Sequence, residues 1–360
     1  MYSKDTDIET GTGTGIHRDI GRDREITGSA VEKVFNPRCK DQIMYQVLLI
    51  TPDKKDELLE ELKEKVFYEK KAELAGTCIK LNTDNHEFKD MWEDNFKQMS
   101  DYIRPHGRVF ALSDEKGFRV LYEPTSKTCF IFNSDYYGWV KSLALAVAGD
   151  FLEEYVSIHS RYSVHGAAID FKGRGVSIIA PSGTGKTTHS YGLLLKKGSR
   201  LVSDDWYYTR ILGEIVIARA SERNCYIRDD IASIFPEFEI LVKTKKLDNS
   251  GRAVADIRHV LGVSRAKDET VIGKVIFLQR DPDDEPFFVL SPKEALNYIV
   301  ENDFCNPHQL VRDERKLRIR TNFFKQYLER VEAYMVNTIT PPHKTQDIVR
   351  RIVFEEGNRL

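Results

Sequence analysis

Val176–Thr188 reads VSIIAPSGTGKTT, a short apolar run followed at once by a glycine-rich loop. The apolar part, Val176–Ile179, predicts a buried strand, and Lys186–Lys196 predicts the helix after the loop. The glycines between them allow successive backbone N–H groups to turn inward and form a nest for phosphate oxygens at a helix N-terminus. A strand, a loop ending in Gly-Lys-Thr and a helix together predict a P-loop nucleotide site.

The loop also supplies the charge and the metal ligand that nucleotide chemistry needs. Lys186 places a positive charge over the β- and γ-phosphates, and the Thr187 hydroxyl can ligate the Mg²⁺ that bridges them. Ala180 stands where the usual pattern begins with Gly, and the following Pro181-Ser182 turn can fit the same backbone path. The predicted nucleotide-binding residues are Ser182, Gly183, Thr184, Gly185, Lys186, Thr187 and Thr188.

Two acids follow the loop helix closely. Leu201–Asp205 (LVSDD) is an apolar strand that ends in Asp204 and Asp205. The carboxyl end of a strand is where α/β proteins place metal and base chemistry. We expect both acids in the metal site with Thr187, one holding the metal and the other accepting the proton of an attacking hydroxyl. A solvated Asp-Asp turn is the alternative.

His165 lies on the strand before the loop strand, which we predict to run without interruption over Ser163–Phe171. A single histidine on a strand is more often a core residue. The neighbouring Gly166 permits a close approach of backbone, which favours a catalytic or metal-binding role for His165. His165, Lys186, Asp204 and Asp205 are therefore the predicted catalytic residues.

The rest of the chain divides into three predicted segments. Residues 1–30 are polar and rich in Gly and Thr, which predicts a disordered tail. Residues 31–105 predict a small α+β module of unknown role. Residues 106–360 predict the nucleotide-binding catalytic domain with C-terminal helices, one of them over Asn322–Asn337. Strands alternating with one helix, then more strands, predict an α/β fold with a mixed sheet that carries the loop.

Bulk composition excludes several classes of protein. The formal net charge of −2 gives no electrostatic reason to expect nucleic acid or an anionic membrane as partner. Five cysteines without CxxC spacing indicate reduced thiols. The polar N-terminus does not resemble a signal peptide, and no apolar run reaches the roughly 18–20 residues of a membrane span. These features together predict a cytoplasmic protein.

The stretch from His165 to Asp205 resembles the superfamily of HPr kinase/phosphorylase and phosphoenolpyruvate carboxykinase. It contains, in the same order, a His-Gly pair, a Gly-rich lead-in, SGTGKT and LVSDD. The resemblance implies the P-loop-bearing mixed β-sheet core of that superfamily, with His165 near the reacting phosphate and the paired acids in metal and base roles. "ADIRHVLG" stands where the carboxykinases have an arginine that reaches the γ-phosphate, which makes Arg258 a further catalytic candidate.

Departures from both families reduce the range of possible phosphoryl acceptors. Thr188 stands where HPr kinases carry Glu, and their C-terminal PGRN signature is missing, which argues against HPr itself. Nothing in residues 31–105 matches the oxaloacetate site of a carboxykinase. Glu222-Arg223 could add an acid and a phosphate-binding arginine, but a surface ion pair is the favoured interpretation.

The predicted function is ATP-dependent transfer of the γ-phosphoryl group to an unidentified hydroxyl acceptor, a serine side chain or a small alcohol. The predicted cofactors are ATP and Mg²⁺, with Mn²⁺ as an option. A nucleotide-binding regulator without transfer activity and carboxykinase-like chemistry are the alternatives. HPr kinases assemble as hexamers, which leaves a homo-oligomer open for this chain.

Overall fold

Two large mixed β-sheets form the framework of the molecule. The computed structural model describes residues 45–155, 159–228, 230–239, 252–256, 258 and 261–355. All of them belong to one compact unit, Phe35–Leu360, and the predicted disordered tail lies outside the described residues. Both sheets combine parallel with antiparallel pairs, so the predicted mixed α/β class is confirmed.

The first sheet contains seven strands. In chain order, β1 to β7 are Val47–Leu49, Tyr68–Leu74, Thr77–Thr83, Lys97–Gln98, Gly107–Leu112, Arg119–Glu123 and Thr128–Phe132. Across the sheet their order is β1-β6-β7-β5-β3-β2-β4. Because β5 pairs in parallel with both β3 and β7, strands from either side of residue 105 share this one sheet.

Helices cover both faces of the first sheet. They are α1 (Pro52–Leu62, extended by a 3₁₀ turn at Lys63–Lys65), α2 (His86–Asn95) and α3 (Tyr137–Glu154). Alternate residues of β5 enter different cores: Phe110 and Leu112 pack with α1, while Val109 and Ala111 pack with α2 and α3. This period of two is the pleat of a strand that is buried on both faces.

The second sheet contains nine strands. They are β8 to β13 and β16 to β18: Tyr162–His165, Ala167–Phe171, Arg174–Ile179, Ser199–Ser203, Trp206–Leu212, Ile215–Ala220, Glu269–Gln279, Phe287–Leu290 and Glu332–Asn337. Seven follow the order β11-β9-β10-β16-β13-β12-β8, and β18 pairs with β16 and β17. β14 (Asn224–Arg228) and β15 (Arg252–Asp256) form a separate antiparallel ribbon.

Helices also cover both faces of the second sheet. They are α4 (Lys186–Leu194), α5 (Asp230–Ile234), α6 (Pro292–Glu301), α7 (Glu314–Leu328) and α8 (Pro342–Phe354), with 3₁₀ turns at Pro236–Phe238, Val263–Arg265 and Asp303–Cys305. On β16, Ile276 and Leu278 pack with α4 and α8, whereas Val275 and Phe277 pack with α6 and α7. The result is three layers with the sheet in the middle.

The predicted helix over Asn322–Asn337 is wrong in its second half. α7 ends at Leu328, and residues Glu332–Asn337 form β18, which lies between β16 and β17. The short apolar run Ala333–Val336 suits a helix or a strand equally well by its pattern alone. Pairing with two neighbouring strands decides in favour of the strand.

α3 lies between the two sheets and is the longest of the described helices. The Tyr208 hydroxyl of β12 donates to the Leu145 carbonyl of α3 at 2.6 Å. α3 also buries Asp150, whose carboxylate oxygens lie 2.6 Å from Lys127 Nζ and 2.7 Å from Lys316 Nζ. In the described part of the chain, no helix combines the length and the apolar character needed to cross a bilayer.

Candidate active site

Residues 180–185 join β10 to α4, and we term them the glycine loop. Gly183 has φ 76° and Gly185 has φ 101°, values in the left-handed region that favours glycine. The Thr184 hydroxyl donates to the Pro181 carbonyl at 2.7 Å and closes the turn. Gly185 is the N-cap residue of α4, so the free N–H groups of the first helical turn face the loop. This backbone is suited to bind an oxyanion.

An open cavity of about 360 Å³ lies against the glycine loop. Its lining residues are Thr184, Gly185, Thr188, His189, Arg280 and residues 338–342. Ser182 and Gly183 are exposed at the tip of the loop, and Thr187 is half-buried on the first turn of α4. The predicted nucleotide-binding residues therefore line or adjoin a space that a ligand can enter.

Three predicted catalytic side chains meet at the start of α4. Lys186 Nζ donates to Asp205 Oδ1 at 2.7 Å and lies 3.3 Å from His165 Nε2. His165 Nε2 lies 3.3 Å from the same Asp205 oxygen. We term these three residues the Lys186 cluster. Residues from three separate elements thus form one contact group next to the glycine loop.

Gly166 brings the end of β8 against the acidic pair. The continuous strand predicted over Ser163–Phe171 is wrong, because the chain breaks at Gly166 between β8 and β9. A Cβ on Gly166 would lie 2.9 Å from the Ile178 carbonyl oxygen, too close for any side chain. The Gly166 N–H donates to the Asp205 carbonyl at 2.9 Å. The close approach inferred from this glycine is therefore found, and it positions His165.

A backbone carbonyl orients the His165 ring. Nδ1 lies 2.5 Å from the Cys305 carbonyl oxygen, and because a carbonyl only accepts, Nδ1 carries the proton. Nε2 faces Lys186 Nζ and Asp205 Oδ1, each at 3.3 Å. The His308 ring lies 6.0 Å away, and burial together with the charge of His165 lowers the pKa of His308 to about 3. His308 is thus a neutral neighbour.

Cationic groups surround the Asp205 carboxylate. Burial by itself raises the pKa of Asp205, but Lys186, His165 and Lys141 outweigh burial and hold that pKa well below its ordinary value. Lys141 Nζ, on α3, lies 3.7 Å from Asp205 Oδ2. Asp205 is consequently ionised across the physiological pH range.

Lys141 and Glu222 extend this charge network and are absent from the predicted site. Lys141 Nζ lies 3.2 Å from Glu222 Oε2, and the two side chains are only 6% and 1% exposed. The surface ion pair favoured for Glu222-Arg223 is therefore wrong. Burial lowers the pKa of Lys141, but Glu222 and Asp205 raise it above its ordinary value, so Lys141 stays charged. A lysine inside the apolar run Trp139–Ala148 was the available signal.

Asp204 makes different contacts from Asp205. Its Oδ2 accepts from the Tyr226 N–H at 3.2 Å, while its buried Oδ1 has no hydrogen-bond partner among the described residues. Burial and the neighbouring Asp205 charge raise the pKa of Asp204 to about 7. The two acids thus differ in charge state near neutral pH.

Arg258 is held by an acid of its own. Its Nε lies 2.9 Å from both carboxylate oxygens of Asp256. Arg258 also lines the cavity that Asp204 borders. No contact joins Arg258 to the Lys186 cluster in the described ranges, so a role at the γ-phosphate stays a prediction.

The described residues contain no group of three or more His, Cys, Asp or Glu side chains arranged to hold a metal ion. Of the predicted ligands, Asp205 is engaged by Lys186, whereas the Oδ1 atom of Asp204 is unsatisfied. Mg²⁺ at nucleotide sites typically uses one or two carboxylates and takes its other ligands from phosphates and water. The residues present are compatible with that mode of binding.

Comparison with curated proteins finds relatives named HPr kinase/phosphorylase. The protein from Chlorobium phaeovibrioides is 34% identical over 116 residues, 32% of this chain and 32% of that protein. The Lactobacillus johnsonii protein is 30% identical over 138 residues, 38% and 37% of the two chains. The Lachnoclostridium phytofermentans protein is 25% identical over 195 residues, 54% and 52% of the two chains. Over part of its length, the chain is thus similar to proteins named HPr kinase/phosphorylase.

The similarity covers part of each protein. The chain spans about a third to a half of the length of the curated relatives it matches. No protein-family model matches the chain. The predicted resemblance to HPr kinase/phosphorylase is thus confirmed over this part of the chain, and the resemblance to carboxykinases stays a prediction.

Proposed function

We propose that the chain is an ATP-dependent phosphotransferase that transfers the γ-phosphoryl group to a hydroxyl acceptor. The observation that carries the proposal is the Lys186 cluster, in which an imidazole, an ammonium and a carboxylate meet at the start of α4. A lysine that neutralises the phosphates and a carboxylate that accepts the hydroxyl proton are recurring parts of phosphoryl-transfer sites. The HPr kinase-like relatives support the same class of reaction.

The glycine loop acts as the phosphate-binding loop in this proposal. Its two left-handed glycines and the N-terminus of α4 direct backbone N–H groups towards one point, which is suited to phosphate oxygens. Lys186 stands directly after the loop and brings its charge to the terminal phosphates. The cavity of about 360 Å³ beside the loop leaves room for the rest of the nucleotide.

Thr187, together with the unsatisfied Asp204 Oδ1, would hold Mg²⁺ at this site. The bound ion would neutralise charge on the β- and γ-phosphates. A site with only these two protein ligands suits a metal ion that is held mainly by the nucleotide. The raised pKa of Asp204, about 7, makes this binding weaker at acidic pH, because the protonated acid is a poor ligand.

Asp205 is the proposed proton acceptor. The acceptor oxygen forms a bond to the γ-phosphorus while the bond from that phosphorus to the β–γ bridging oxygen breaks; the electron pair leaves with ADP, and the hydroxyl proton passes to Asp205. As long as Lys186 pairs with Asp205, the carboxylate is a weak base. When Lys186 shares its charge with a bound phosphate, the pKa of Asp205 rises and the carboxylate becomes a better base.

His165 and Arg258 take supporting roles in the proposal. His165 Nε2 lies 3.3 Å from both Lys186 and Asp205, so it can hold the two side chains in place and contact the transferred group. Arg258 would have to exchange its pairing with Asp256 for the phosphate. Most of the acceleration would come from positioning and electrostatic stabilisation.

The test is transfer of labelled phosphate from ATP with Mg²⁺ to mixtures of small alcohols and serine peptides. We expect Lys186→Ala to lower transfer by about a thousandfold, because it removes the charge over the phosphates. Lys197→Ala, an exposed lysine beyond α4, is the matched control and should keep full activity. Full transfer by Lys186→Ala contradicts the mechanism. Binding of ATP without transfer to any acceptor favours the regulator alternative.

A further inference from the structure

A second, smaller cavity borders the acidic pair. Its volume is about 60 Å³, several times the roughly 10–15 Å³ that one water requires, so it can take a small polar group. Asp204, Glu222 and Asn95 of α2 are among its lining residues. Asp205, the proposed base, follows Asp204 directly. Lys141 Nζ lies 3.2 Å from Glu222 Oε2 and 3.7 Å from Asp205 Oδ2, so the cavity is close to the place where an acceptor hydroxyl would react.

Five cationic side chains line this cavity, and four of them are neutralised by acids. The pairs are Lys97–Asp268 at 3.1 Å, Arg219–Glu73 at 3.4 Å, Lys267–Asp170 at 2.8 Å and Arg258–Asp256. Arg223 is the fifth. Within the described part of the chain its guanidinium has no ion-pair partner, and its Nε is buried without a hydrogen bond. A buried donor on a charged group costs free energy unless a ligand satisfies it.

The backbone around Arg223 is held firmly. The Arg223 N–H donates to the Asn95 carbonyl at 2.8 Å, and the Asn224 N–H donates to Asn95 Oδ1 at 3.3 Å. Asn95 is fully buried at the end of α2. The backbone that carries the Arg223 side chain is thus fixed before any ligand arrives, which reduces the entropy lost on binding.

We propose that Arg223 binds an anionic group of the acceptor, a carboxylate or a phosphate. This inference rests on the proposed function. It predicts that the acceptor is a small alcohol with an oxyanion close to its reacting hydroxyl, and not a neutral alcohol or an uncharged serine side chain. The planar guanidinium matches both oxyanions with two parallel hydrogen bonds. Because the other four cations of the cavity are paired with acids, Arg223 is the lining cation that offers its charge to an oxyanion.

The experiment compares three probes that share a hydroxyl: glycerol, glycerate and glycerol 3-phosphate. Their affinities are measured by calorimetry with the full chain, and their phosphorylation is measured with labelled ATP. Arg223→Gln removes the charge, and Arg223→Lys keeps the charge without the two parallel N–H donors of the guanidinium. Arg219→Gln, on the same cavity, is the matched control. Thermal unfolding of every variant checks the fold.

We expect at least one anionic probe to bind about tenfold or more tightly than glycerol, and Arg223→Gln to remove that difference. Arg223→Lys should retain part of it and Arg219→Gln nearly all. The probe that binds identifies carboxylate or phosphate as the source of the charge. Equal affinity for charged and neutral probes, an unchanged preference in Arg223→Gln, or selective phosphorylation of a serine peptide overturns the inference. Arg223-dependent binding of an anion without transfer supports the anion site and counts against the proposed kinase.

Discussion

Asp204 and Asp205 are adjacent in sequence and occupy opposite environments. Asp205 lies among Lys186, His165 and Lys141, which hold its pKa well below the ordinary value. Asp204 is buried beside the backbone of Tyr226 with one oxygen unsatisfied, and its pKa is raised to about 7. One peptide step therefore separates an acid that is always ionised from one that titrates near neutrality.

The difference between the two pKa values arises from the groups that each carboxylate contacts. Asp204 and Asp205 form the bend between β11 and β12, and their carboxylates contact groups on two sides of it. One side holds the cations of α3 and α4, and the other holds the β14 backbone. In the proposed reaction, Asp205 accepts the proton and Asp204 meets the metal.

The largest effect is expected at Asp205. Asp205→Asn removes the proposed proton acceptor while keeping the side-chain shape, and should lower transfer by about a hundred- to ten-thousandfold. Single-turnover transfer of labelled phosphate measures this. Asp114→Asn is the control. It removes an acid that pairs with Arg119 outside the candidate site, and it should keep full activity. Equal activity of the two variants would remove Asp205 from the proposed mechanism.

The next largest effect is expected in the free energy of unfolding, whose pH dependence should change in Asp204→Asn. A pKa raised from 3.8 to about 7 means that the folded protein holds a proton which the unfolded chain loses, so the free energy of unfolding falls as pH rises through this window. Asn does not titrate. Relative to wild type, Asp204→Asn should therefore gain about 2 kcal/mol between pH 5 and pH 8 in urea unfolding.

Asp114→Asn serves as the reference for that measurement. Arg119 holds the pKa of Asp114 well below its ordinary value, so Asp114 is ionised at both pH values, folded or unfolded. Its difference from wild type should stay constant from pH 5 to pH 8. A constant difference for Asp204→Asn as well would mean that the pKa of Asp204 is not raised in the folded protein.

The smallest effect is expected at Lys141, the most distant of the cations around Asp205. Removing it in Lys141→Met raises the pKa of both Asp205 and Asp204, so the pH below which activity falls should move upward, by less than about one pH unit. The pH dependence of transfer measures the shift. Lys127→Met removes a lysine buried against Asp150 instead, and should leave the pH profile unchanged. A profile unchanged in both variants would exclude Lys141 from the environment of Asp205.

Local chemistry was sufficient to predict the glycine loop, the strand and helix around it, and the meeting of His165, Lys186 and Asp205. Each of these residues lies at the end of a strand or the start of a helix within about forty positions, where chain direction alone brings them together. The pattern could not assign residues 332–337 to a strand, because their apolar run suits either type of element. It also gave no sign that Asp204 and Asp205 would separate.

The sequence by itself determined the mixed α/β class, the left-handed glycines of the loop and the three side chains beside it, because these depend on residues close together in the chain. The tertiary structure alone brought Lys141 from α3, the Cys305 carbonyl and the Asn95 anchor of Arg223 to the same region. Contacts between residues far apart in sequence arise only when the sheets and helices pack, and that packing sets the charge of each acid.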